Sequence, residues 1–207
     1  MDAMTDRGQA FTLEAVLAAV LLLATVAFVL HVAGVTGNTP STADAGIEDQ
    51  NRGLADGALD SAVSNESLRP TLLFWNESEE AFHETDEEAE YYVSRSPPTE
   101  FGEVLDRTFD GFSVKYNVDV YYAGNESEVE RQRLIHHGTP TDDAVRATTT
   151  VTLHDDDPLY DANETARNVT VSELSTGNET EGEFYASKAG DGSVYNVLRV
   201  EVVVWRA

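Results

Sequence analysis

The sequence predicts an α+β protein: one N-terminal apolar helix, then a domain built on an antiparallel β-sheet with short helices. Three observations carry this expectation. Residues 15–35 (AVLAAVLLLATVAFVLHVAGV) contain only Thr25 and His31 as polar side chains. Residues 112–122, 145–154 and 195–205 alternate or run apolar in the manner of strands. Phe101, Val104, Leu105 and Phe109 stand at i, i+3, i+4 and i+8, which is helical spacing.

At 1.5 Å rise per residue the apolar run spans about 31 Å, the thickness of a bilayer core. It also lacks the polar stripe of a helix packed on a soluble domain. A transmembrane helix is therefore expected within residues 11–35. A cleavable secretory signal is the rival reading, but its apolar core normally runs only about 7–15 residues. Arg7 is the only basic residue ahead of the span, so charge bias says little about orientation. Acceptor patterns for N-glycosylation say more: Asn65, Asn76, Asn125, Asn163, Asn168 and Asn178 each open an Asn-x-Ser/Thr triplet without proline. All six follow the apolar run, which implies a cytoplasmic N-terminus and an extracellular C-terminal domain.

Charge narrows the partners. The 207 residues carry 38 acidic and 13 basic side chains, a net charge of -25, and all the acids but Asp2, Asp6 and Glu14 are spread from Asp44 to Glu201. Phosphate recognition needs a basic face, so nucleic acid is not an expected partner. Lys115 and Lys188 are the only lysines. An acidic, lysine-poor surface resembles proteins of extreme halophiles: at molar salt the screening length falls to roughly 3 Å, and the mutual repulsion of such a surface collapses. Cysteine is absent, which excludes disulfides, thiolate metal sites and a cysteine nucleophile.

Along the chain, residues 36–65 read as linker and stalk, with Thr36–Gly46 small and polar and Ile47, Leu54, Ala58, Ala62 and Val63 near one helical face. The domain proper is expected over 66–207. Leu72, Leu73, Phe74, Trp75 and Phe82 form an apolar group suited to a core, and residues 77–90 read as an acidic solvated helix face or loop. After Pro97-Pro98 comes the short amphipathic helix. Phe112–Tyr122 is the clearest strand, Val145–His154 the second, and Tyr195–Trp205 the third, its three consecutive valines implying burial on both faces. Residues 163–192 read as a long exposed excursion with short strands near 169–171 and 183–186.

Chemistry-bearing clusters are sparse. His136-His137 and His154-Asp155-Asp156-Asp157, with Asp161, are the groups nearest to a metal site. Consecutive strand residues point to opposite faces, and the aspartates lack the order of a calcium loop. No phosphate loop, zinc-protease or serine-hydrolase motif is present, so neither a cofactor nor an enzymatic activity is expected. Trp75 and Trp205 each sit in an apolar stretch and are expected in the core.

Ahead of the span stands Arg7-Gly8-Gln9-Ala10-Phe11-Thr12-Leu13-Glu14, which resembles the processing region of type IV prepilins and archaeal pilin-like proteins. The resemblance implies that residues 1–10 hold a leader ending at Gly8 or Ala10. It also implies that the helix from Phe11 enters a filament core and that Glu14 pairs with a neighbouring subunit's N-terminal amine. A carboxylate in an apolar bundle is costly until such a charge meets it. Glu14 would be the sixth mature residue after Gly8 or the fourth after Ala10, whereas the family's glutamate is the fifth. Leu73-Phe74-Trp75-Asn76, Tyr116-Asn117-Val118 and Val202-Val203-Val204-Trp205-Arg206 are similar to stretches of uncharacterised haloarchaeal pilin-like proteins. The implied partners are membrane lipid, other pilin-like subunits and a prepilin peptidase. The alternative expectation is a membrane-anchored extracellular glycoprotein binding module that does not polymerise.

Overall fold

The computed structural model describes residues 16–26, 42–85, 89–124, 128–175 and 183–207, and the chain divides into two units, Met1–Ala45 and Gly46–Ala207. In the first, residues 16–26 form helix α1, with every side chain exposed, Leu21, Leu22 and Leu23 among them. The hydroxyl of Thr25 donates back to the Leu21 carbonyl at 2.7 Å, so its one polar side chain is satisfied within the helix. At 1.5 Å per residue α1 covers about 16 Å, and among the described residues no helix is long and apolar enough to cross a membrane. Gly8, Ala10, Glu14 and residues 27–35 of the expected span lie outside the described residues.

Helix α2 (Thr42–Ser64) begins inside the stretch expected to be a linker. Its buried face is Asn51, Ala55, Ala58, Leu59 and Ala62, while Val63 is exposed and Ile47 and Leu54 are half-buried. The expected face is thus displaced by part of a turn. Three alanines and Leu59 supply its apolar contact with the core. Helix α3 (Leu68–Leu72) leads into a two-residue hairpin, β1 (Trp75–Asn76) with β2 (Ala81–Phe82), antiparallel. The residues expected to be a solvated acidic segment therefore include a turn and strand β2, with Ala81 and Phe82 buried.

Helix α4 (Glu100–Phe109) buries Phe101, Val104, Leu105 and Phe109, as their spacing requires. Thr99 caps it, its hydroxyl accepting from the Gly102 N–H at 3.4 Å. A Cβ on Gly102 would stand 1.9 Å from the Pro97 carbonyl oxygen, so only glycine fits under that loop.

The main sheet contains β3 (Val114–Ala123), β4 (Val129–His136), β5 (Val145–His154) and β8 (Val194–Arg206) in the order β4-β3-β8-β5, with every pairing antiparallel. The C-terminal strand β8 lies between β3 and β5, which is why Val202, Val203 and Val204 are all buried. Phe112, expected on the strand, lies before it and is exposed. Strand β4 was not legible as a strand in the sequence.

Cross-strand register sorts the residues by face. Tyr116, Val118 and Val120 stand opposite Val204, Val202 and Val200, which in turn oppose Val145, Ala147 and Thr149. This face belongs to one apolar core with α2 and α4. Burial of each large side chain there stabilises the fold by roughly 1.5–3 kcal/mol.

A smaller pair, β6 (Pro158–Tyr160) with β7 (Ala166–Thr170), follows β5, then helix α5 (Val171–Ser175). The expected excursion is therefore not wholly exposed: Val171, Leu174, Phe184 and Ala186 are buried, and residues 183–186 form no strand. Trp75 is buried with its Nε1–H donating to the Glu183 carbonyl at 2.8 Å, and Trp205 is buried near Gly138.

Candidate functional site

Four of the six sequons fall on described residues, and three lie in local turns. The Asn65 side-chain oxygen accepts the Ser67 N–H at 3.1 Å, and Asn76 does the same for Ser78 at 3.1 Å. In both, the polar side chain closes a tight turn on its own backbone. Asn163 donates its N–H to Asp161 Oδ1 at 2.9 Å, and Thr165 donates to the same oxygen. These backbone bonds hold the Asp161 carboxyl below the usual carboxylate range. The middle residues Glu66 and Glu164 adopt positive φ, 58° and 54°, the left-handed conformation that tight turns impose.

Side-chain bonds gather these triplets around the β6–β7 pair. The Asn65 amide donates to Glu100 Oε1 at 3.2 Å, and the Glu100 N–H donates to Glu164 Oε2 at 3.3 Å. Arg167, beside Asn168, forks onto both oxygens of Glu77, beside Asn76, at 2.6 Å each. That pair holds the Glu77 carboxyl below its ordinary value, the hydrogen bond outweighing burial. Asn65, Asn163 and Asn168 are exposed and Asn76 half-buried. Asn125 and Asn178 lie outside the described residues.

The sheet face turned away from the core has a different chemistry. Its rows read His136, Asn117, Val203, Arg146; then Arg133, Asp119, Glu201, Thr148; then Arg131, Tyr121, Arg199, Thr150. Lys115 lies on the same face, beside Trp205. Arg131 and Arg146 approach Asp119 and Glu201 at 4.0 and 3.9 Å, and Arg199 stacks 4.5 Å over the Tyr121 ring. Arg133 lies 5.4 Å over Tyr91. Burial pushes the Asp119 carboxyl up despite Arg131 and Arg133, and its Oδ1 has no hydrogen-bond partner. No sequon among the described residues lies on this face.

The histidine and aspartate clusters turn out to be fastenings. His136 meets the edge of Tyr91 and His137 that of Tyr116, so the two rings have different neighbours. Asp157 accepts both the His154 N–H and Arg69, at 2.8 and 3.0 Å, and Asp155 pairs with Lys188 at 2.7 Å. Among the described residues no three His, Asp or Glu side chains are gathered to hold an ion.

A cavity of about 520 Å³ is lined in part by Ser96, Asp106, Tyr116 and His137. Ser96 Oγ donates to Asp106 Oδ1 at 2.6 Å and lies 2.6 Å from the Tyr116 hydroxyl, whose pKa burial pushes up to about 12. Acyl transfer of the serine type has an imidazole on the serine oxygen. Here carboxylate and phenol hold the serine, and the three groups tie the Ser96 loop to α4 and β3.

The sequons were legible as motifs. The arginine face was missed, although Arg131 and Arg133 two apart, and Arg146 and Arg199 on alternating strands, carried its period of two. Compared with known proteins, residues 7–204 match the family of unknown function DUF7288, and the chain belongs to that family. No curated protein and no solved structure matches it.

Proposed function

We propose that this family member is a pilin-like, single-pass cell-surface subunit with a structural or assembly role, its N-terminal helix in the membrane and its α+β domain outside. The observation that carries the proposal is α1. It is a helix of apolar side chains, all exposed, whose one hydroxyl is bonded internally. Such a surface is stable in lipid or among like helices, where backbone and side-chain polar groups must find their partners within the segment. The family match from residue 7 supports treating the Gly8–Glu14 motif, the apolar run and the domain as one unit.

The exposed sequons at Asn65, Asn163 and Asn168 support an extracellular domain, and the net charge of -25 suits a high-salt exterior. A tethered binding module that does not polymerise is the second reading, favoured by the arginine-lined sheet face. Intact-mass spectrometry of protein from washed membranes separates the two. A chain beginning at Gln9 or Phe11 is expected for a processed pilin-like subunit, and an N-terminus at Met1 or Asp2 rejects processing. Recovery in the high-speed supernatant with residues 11–35 attached rejects the anchor itself.

A further inference from the structure

We infer that the arginine-lined face of the sheet docks the acidic outer face of helix α2 from a second copy of this chain. The inference rests on the reading of the chain as an assembling surface subunit, and it names the contact its domain makes.

The first ground is segregation of charge. The face carries Lys115, Arg131, Arg133, Arg146 and Arg199, five of the 13 basic residues of the chain, against two carboxylates, Asp119 and Glu201. In a protein of net charge -25, so basic a face is complementary to nearly any other part of another copy. Its side chains are also held in place: Arg199 by Tyr121, Arg133 by Tyr91, Arg131 and Arg146 by the two carboxylates. Less conformational freedom is then lost on docking.

The second ground is the outer face of α2. Asp49, Asp56 and Asp60, spaced by seven and four, form one exposed stripe opposite the buried Ala55, Ala58, Leu59 and Ala62, with Arg52 at its flank. Gly53 and Gly57 lie in or beside that stripe, and a Cβ on either would meet nothing within 4 Å. Each glycine costs a helix interior about 1 kcal/mol relative to alanine. Among the described residues nothing uses the space, whereas a neighbour's side chains packed against the helix backbone would.

The third ground is placement. Helix α2 packs in the core on the apolar side of the sheet, and the arginines line the other side. The contact is therefore between unlike surfaces, and such heterologous contacts propagate head to tail into rings or open filaments. None of the four described sequons lies on either surface, so sugars at those positions leave the contact clear. At molar salt the screening length of roughly 3 Å removes the long-range repulsion between two acidic copies, and Arg–carboxylate pairs at contact distance remain.

The test uses full-length protein in detergent micelles at molar salt, with light scattering after size exclusion across a concentration series. One variant combines Arg146→Glu with Thr150→Glu, two exposed positions on β5; the other combines Asp56→Arg with Asp60→Arg. Each variant alone is expected to weaken self-association at least tenfold, and an equimolar mixture of the two is expected to restore it. The restoration also shows that both variants are folded. Wild-type protein that stays monomeric, variants that associate as wild type does, or a mixture that stays dissociated would each overturn the inference. Association of wild-type protein with anionic lipid vesicles that the β5 variant abolishes, without any self-association, would overturn it in favour of a lipid surface. Leader removal, read by mass in the same preparation, stands or falls separately.

Discussion

The two faces of the four-stranded sheet are made by the same strands and differ in their chemistry. Tyr116, Val118 and Val120 meet a row of valines, whereas Asp119 and Tyr121, alternating with them along β3, meet arginines and a carboxylate, Asp119 being buried beneath them. One face is held by exclusion of water and the other by paired charges, most of them half exposed. Exposed pairs contribute only about 0–1 kcal/mol each. Stability is therefore expected to reside in the first face, and the second is free to serve an interaction.

Substitution across the sheet tests that asymmetry. Leu198→Ala, on the buried face opposite Val151, is expected to cost about 2–5 kcal/mol by chemical denaturation. Thr150→Ala, one residue away on the opposing strand but facing outward, is expected to stay within about 0.5 kcal/mol. Comparable losses at both positions would break the distinction.

Two carboxylates sharpen it through pH. Glu77 has its folded pKa lowered, chiefly by the hydrogen bond from Arg167. Its contribution is therefore present above the unfolded pKa and is lost as pH falls through the folded value. Glu77→Gln is expected to cost about 1.5–3 kcal/mol at neutral pH and nothing in acid. Asp119 has its folded pKa raised, chiefly by burial. Its contribution is present below the unfolded pKa and is lost as pH rises through the folded value, so Asp119→Asn is expected to be neutral or to gain up to about 1 kcal/mol at neutral pH. Denaturation curves at several pH values, with the salt held molar, read both slopes. The smallest expected effect is at α2, where Gly53→Ala should stabilise the subunit by about 0.5–1 kcal/mol, because the space around it is open.

Much of the fold was legible because its periodicities are strong. Strands β3, β5 and β8 and helix α4 each place apolar side chains at the period their geometry demands. Strand β4 escaped because Val129–Arg133 is exposed or half-buried at an edge of the sheet, leaving only Leu134 and Ile135 as core residues. The face of α2 was legible at Ala58 and Ala62, but it turns toward Asn51, Ala55 and Leu59 and away from Ile47, Leu54 and Val63. The sequons were readable one at a time. Their convergence was not, since it depends on contacts such as Arg167 to Glu77, 90 positions apart. The arginine face was hidden for the same reason: only pairing brings Arg131, Arg199 and Arg146 onto one surface.

An extracellular domain whose sequon-bearing flank is modified, while its arginine face stays bare, is most directly tested by glycopeptide mass spectrometry of the native protein. The account predicts sugar on at least one of the exposed asparagines Asn65, Asn163 and Asn168. Unmodified peptides at all six acceptor positions would contradict it.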